Sequence, residues 1–147
     1  MSEIFKTPGG PAAYERGMQF GYTILYVDDV EGTVAFYERA FGLKRTMVVP
    51  NEFGELATGT TKLSFAARAH VVKLFPIPFQ SAGMRNDPPP IEIGLVTDDV
   101  PAAFERAVAA GAVAVAEPQP KPWGQIVSYV RDNNGFLVEI CTPIPAG

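Results

Sequence analysis

The sequence predicts an α+β chain made of two tandem βαβββ units, and three observations carry that expectation. The segments Tyr22–Val30 and Glu92–Val100 align residue for residue without a gap, and both end in Asp-Asp-Val. Apolar residues at helical spacing follow each segment, and a glycine ends each run, at Gly42 and Gly111. Three short strand-like runs then follow each helix in the same order. Self-similarity of this kind marks a supersecondary unit that buries its apolar face only against a neighbour.

Residues 1–20 read as an N-terminal extension, interrupted by Pro8, Gly9, Gly10 and Pro11 and lacking the apolar run of a signal peptide. The first unit spans 21–75. Its helix recurs at Val34, Phe36, Tyr37, Ala40 and Phe41, and its later strands run from about Arg45 to Val49, Phe53 to Thr58 and Lys62 to Ala67. Residues 76–90 form a connector stiffened by Pro76, Pro78 and Pro88–Pro90, with the boundary near Asn86. The second unit spans 91–143. Pro101 opens its helix, Phe104, Ala107 and Val108 repeat along it, and strands run from about Ala112 to Glu117, Gln125 to Arg131 and Phe136 to Thr142. Asn133, Asn134 and Gly135 form a tight-turn signal, matched by Gly59, Thr60 and Thr61 in the first unit. An aspartate before each helix is placed to cap its free N–H groups, and residues 144–147 are a tail.

A chain of this length buries about 70% of its unfolded surface, so no metal or disulfide is needed to hold it. Its 47% apolar and 19% charged residues describe an ordinary packed core. The net charge of −4 and singly scattered basic residues argue against a nucleic-acid partner and mildly favour neutral or cationic ligands. Apolar stretches fall well short of the roughly 20 residues of a membrane span. A cytoplasmic setting is expected, and the single cysteine, Cys141, fits a reducing compartment.

The strand ending Val27–Val30, the run Ala35–Arg39 with Gly42 and Leu43, the segment Lys121–Gly124 and the strand, acidic turn and strand of Tyr129–Ile140 resemble one known family. Over about Gly21 to Pro143 the chain is similar to the vicinal-oxygen-chelate superfamily, which includes glyoxalase I, bleomycin-binding proteins and extradiol dioxygenases. The resemblance implies a curved mixed-sheet cup with helices outside and a small molecule within. Strand alternation then sends Leu25, Val27, Ile93, Leu95, Val138 and Ile140 to the helices and Tyr22, Ser64, Leu137, Glu139 and Cys141 to the cup.

Family enzymes hold a metal at the starts of the two first strands and late in the two last ones. Those four slots correspond here to Tyr22, Ser64, Glu92 and Glu139. Two neutral hydroxyls in place of strong ligands make a degenerate set, so no cofactor and no tight metal are expected, with weak Mg or Mn binding by the carboxylates as the alternative. Dioxygenase chemistry is not expected, because the imidazoles of an iron site are missing. Glu92 and Glu139 in one apolar cup would repel and would need to share a proton or a cation. Trp123 is a candidate to wall the cup or stack on a planar or cationic ligand, with Phe53, Tyr26 and Tyr129 behind it. Arg131 reads as a salt link to the acidic turn, Cys141 as an inert buried thiol and His70 as a surface loop residue. Two functions stay open. One is a non-catalytic binder that sequesters a cationic or aromatic drug or metabolite. The other is a glyoxalase-like lyase or isomerase with Glu139 or Glu92 as general base and Tyr22 as an orienting donor. The resemblance also implies a homodimer that completes its cups between chains.

Overall fold

The computed structural model describes residues 17–146, so most of the N-terminal extension and the last residue of the tail lie outside the described residues. The first unit comprises β1 (Tyr22–Val27), α1 (Val30–Phe41), β2 (Lys44–Val49), β3 (Phe53–Ala57) and β4 (Lys62–Ala67). A one-turn helix α2 (Arg68–Val71) comes next, and the second unit comprises β5 (Glu92–Val96), α3 (Val100–Ala109), β6 (Val113–Pro120), β7 (Ile126–Arg131) and β8 (Leu137–Cys141). Each unit forms its own four-stranded mixed sheet, ordered β1-β4-β3-β2 and β5-β8-β7-β6. The α+β class and the repeat therefore stand. Even the irregularities repeat, since the β2–β3 ladder slips between Arg45 and Met47 and the β6–β7 ladder between Ala114 and Ala116.

Local chemistry sets the helix ends. The Asp29 carboxylate accepts from Gly32 N at 3.0 Å and that of Asp99 from Ala102 N at 3.1 Å, which pairs backbone donors that a first turn leaves free. Gly42 ends α1 at φ 70°, a left-handed cap in which its N–H bonds the Glu38 carbonyl. At Gly54 the helix lies so close that an added Cβ would stand 2.7 Å from Val34 Cγ2 and 2.9 Å from Val30 Cγ1. Only a residue without a side chain lets α1 settle on β3 at that distance.

Leu25, Val27, Leu56, Leu63 and Phe65 of the first sheet, Val130, Val138 and Ile140 of the second, and Val34, Tyr37, Ala40, Val100 and Ala107 of the helices form one core. Polar links also cross between the units. The Tyr37 hydroxyl donates to the buried Asp132 carboxylate, Asn134 Nδ2 donates to Thr33 Oγ1 at 2.9 Å, and Arg106 Nε donates to the Arg39 carbonyl at 2.9 Å. Helices and turns thus lock the two units together through the sides that face the helices. Each sheet turns its other face away from that shared core, and β1 and β5 remain edge strands with no ladder joining them.

Candidate functional site

Register fixes what each outer face carries. On the second sheet Glu92, Gly94 and Val96 of β5 pair with Leu137, Glu139 and Cys141 of β8, which pair in turn with Arg131, Tyr129 and Val127 of β7. Side chains alternate along strands, so all nine share the face opposite Val138 and Ile140. Val138 and Ile140 are 0% and 2% exposed, which agrees with the helix-facing assignment. The β5 side of this face is open, since Val96 is 63% exposed and nothing lies within 4 Å of a Cβ built on Gly94, while Val127 and Cys141 are buried.

Glu92 and Glu139 meet on this face. Hydrogen bonding to Glu139, burial and the Glu139 charge hold the Glu92 carboxyl above its ordinary value. Desolvation acts on Glu139 in the same direction, but hydrogen bonds from Cys141, Glu92 and Tyr129 outweigh it and carry that carboxyl below its ordinary value. The pair behaves as one coupled unit in which Glu92 keeps its proton longer. Tyr129 donates its hydroxyl to Glu139 Oε1 at 3.0 Å, and burial followed by that bond pushes its phenol up to about 12. Burial and the neighbouring Glu139 likewise push the Cys141 thiol up to about 12, so it stays an unreactive neutral group. Neither glutamate has an ion-pair partner among the described residues.

The first sheet presents a different face. Tyr22, Ile24 and Tyr26 pair with Lys62, Ser64 and Ala66, and Ser64 and Ala66 pair with Glu55 and Phe53. Ser64 is fully buried and its Oγ has no hydrogen-bond partner. Phe53 and Ala66 are buried in a second apolar cluster with Val71, against which Tyr26 and the connector residue Phe79 pack. Phe79 meets the Tyr26 ring edge-on at a centroid distance of 4.8 Å. The connector thus lies over part of this face, while the β5 side of the second sheet's face stays open.

The structure brings Glu92, Glu139 and Tyr129 together. It leaves Ser64 on the other sheet without a hydrogen bond to either glutamate, and Tyr22 pairs with Lys62 at that sheet's edge strand. Trp123 sits in the turn between β6 and β7, 58% exposed, its Nε1 donating to Gln125 Oε1 at 2.6 Å. Among the described residues no three His, Cys, Asp or Glu side chains gather closely enough to hold a metal. The four slots offer two carboxylates and no imidazole, a set that does not fit a tight transition-metal site.

Two sequence readings need correction. Arg131 forms no salt link to the acidic turn. It donates instead to the carbonyls of Gly135, Gly83 and Asn86, because the connector passes within reach and Asp132 is already taken by Tyr37, Asn134 N and Phe136 N. His70 is not a surface loop residue but part of α2, with Nδ1 3.4 Å from Glu52 Oε1 and Nε2 buried. Glu55, not singled out by sequence reasoning, is a buried charge on the first sheet's outer face, held by Thr46 Oγ1 and by Lys62 Nζ at 3.2 Å. Alternation from Phe53 offered the signal, since it puts Glu55 on the same face.

Known proteins share this architecture. The structure is similar to a glyoxalase-related enzyme from Fulvimarina pelagi, with a TM-score of 0.75 at 22% identity over 88% of this chain and 93% of that one. It is similar also to a protein of unknown function from Agrobacterium tumefaciens str. C58, with a TM-score of 0.69 at 26% identity over 86% and 95%. TioX from Micromonospora sp. ML1 gives a TM-score of 0.63 at 25% identity over 85% and 98%. Among curated sequences, an uncharacterized protein from Mycobacterium bovis is 28% identical over 125 residues, 82% of this chain and 80% of the relative. The family model described as Glyoxalase/Bleomycin resistance protein/Dioxygenase superfamily matches residues 19–140, so the chain belongs to that superfamily.

Proposed function

We propose that this protein binds a small organic cation carrying an aromatic group, at a cup whose second-unit wall carries Glu92 and Glu139, and that binding rather than turnover is its task. One observation carries the reading: two hydrogen-bonded carboxylates stand beside the open β5 side of a largely apolar sheet face with no cation paired to them among the described residues. Two like charges on a partly desolvated face favour a proton or a cation between them. Val96 borders them with exposed apolar surface, and the exposed indole of Trp123 is suited to stacking on a cation or a flat ring. The unpaired edges of β1 and β5 support a homodimer in which a second copy closes the cup.

Calorimetric titration with benzyltrimethylammonium and with its uncharged carbon isostere tests the proposal. The charged probe should bind at least about tenfold more tightly, a difference of about 1.4 kcal/mol, and Glu92→Gln or Glu139→Gln should remove most of that preference. Equal binding of the two probes would contradict it. The lyase or isomerase reading draws on the raised Glu92 carboxyl, which makes it a stronger base than an ordinary glutamate. Turnover of a glutathione hemithioacetal that vanishes in Glu139→Gln would favour that reading instead. Binding of Mn²⁺ alone, lost in both variants, would identify the cation as a metal.

A further inference from the structure

The single histidine of the chain has a place that the carboxylate pair leaves unexplained. A recess of about 70 Å³ opens on the outer face of the first sheet, walled by Tyr26, Phe53, Ala66, Leu74 and Phe75 together with His70. Glu52 also borders it, and apart from His70 and Glu52 the walls are apolar or aromatic carbon in the main. Of these two, His70 Nε2 is buried and has no hydrogen-bond partner. On the other side of the ring, Glu52 Oε1 stands 3.4 Å from Nδ1. A carboxylate there draws the ring proton to Nδ1 and leaves the Nε2 lone pair as an acceptor. Buried acceptors in native proteins nearly always have a donor, so an unpaired one that borders an open recess marks a position where a donor is expected.

We propose that this recess is a ligand subsite for a hydroxyl group on an apolar or aromatic body, with His70 Nε2 accepting the hydroxyl proton and Glu52 fixing the ring. The volume supports a partial insertion. A cavity of about 150 Å³ holds a whole benzene ring, so 70 Å³ takes the hydroxyl end of a phenol and leaves the remainder at the mouth, against the rings of Phe75 and Tyr26. A charged phenolate is disfavoured, since the Glu52 carboxylate borders the recess and the aromatic walls leave an anion nothing to pair with. Glu92 and Glu139 lie on the other sheet and take no part in this subsite.

His70 is also its own reporter, because no other imidazole contributes to the spectrum. The full-length protein is titrated with phenol and with fluorobenzene, which has similar size and no donor, while the His70 ring resonances are followed by NMR. Phenol should shift them saturably, with a dissociation constant at least about tenfold below that of fluorobenzene. His70→Leu should keep the recess apolar and abolish the preference for phenol, as read by competition against a fluorinated phenol probe. Ala66→Leu should fill the recess and weaken both probes. Unperturbed His70 resonances, equal affinities for the two probes in the wild type, or a phenol preference that survives in His70→Leu would each overturn the assignment.

Discussion

Replacing Tyr37 with Phe removes one hydroxyl and keeps the ring volume, so it isolates the buried link between the units. The hydroxyl donates at 2.5 Å to Asp132 Oδ2, whose residue is 1% exposed. A hydrogen bond to a charged acceptor of this kind contributes about 1.5–3 kcal/mol, and little transfer energy opposes the change because the ring still packs against Phe65 and Phe41. The loss depends on pH. Burial raises the Asp132 carboxyl above its ordinary value, while hydrogen bonds from Tyr37 and from the Asn134, Phe136 and Gly135 N–H groups pull it down without fully offsetting burial. A carboxyl raised on folding binds more protons folded than unfolded, so stability declines as pH climbs from its unfolded value near 3.9 through its folded one. Removing the Tyr37 donor raises the folded value further, and the decline extends to higher pH. Urea denaturation of both proteins should therefore show a loss of about 1.5–3 kcal/mol at pH 8 that shrinks at pH 4, where a protonated Asp132 needs fewer donors. In a cycle with Asp132→Asn the two changes should be strongly non-additive. A loss under about 0.5 kcal/mol at pH 8, or one that grows toward pH 4, would refute the claim that this pair holds α1 to the second unit.

Ile140→Ala should cost about 2–4 kcal/mol, since Ile140 is 2% exposed in the shared core, whereas Glu139→Gln one position earlier should change stability by under about 0.5 kcal/mol. The reverse order in denaturant would show the faces of β8 assigned backwards. Gly54→Ala forces a methyl against Val34 and Val30 and should cost about 1–3 kcal/mol by overpacking, as read by thermal unfolding. Cation affinity should rise with pH above the ordinary carboxylate range, because the raised Glu92 must lose its proton before the pair carries full charge, and Glu92→Gln should flatten the rise in calorimetric titrations. Light scattering should give a dimer mass for the full chain if a second copy closes the cup.

The repeat was legible because backbone rules act locally. Asp29 and Asp99 as caps, Gly42 as a left-handed stop and the alternation that buries Val138 and Ile140 depend only on neighbours in sequence. Lys62–Ala67 emerged with the expected bounds, while β6 runs to Pro120, three residues past its expected end, because bulges let it track β7 without regular alternation. Relations between the units were not legible. No local pattern reports that Tyr37 reaches Asp132, that Arg131 turns to the connector, or that Phe79 lies over Tyr26, since those contacts depend on how two units and a proline-rich strap pack. The candidate site was accordingly half visible. Alternation placed Glu139 on the outer face, but His70 was read as loop because nothing in Arg68–Val71 announces a single helical turn after β4.

The functional proposal stands or falls on whether Glu92 and Glu139 form one coupled pair that takes a cation. Carboxyl ¹³C resonances of the two glutamates, followed by NMR from acid to neutral pH with and without saturating benzyltrimethylammonium, answer that question. Glu92 should titrate above the ordinary glutamate value of about 4.3 in the free protein, its curve should shift when Glu139 is changed to Gln, and the bound cation should bring it down. Two independent titrations near that ordinary value, unmoved by the cation, would contradict the pairing.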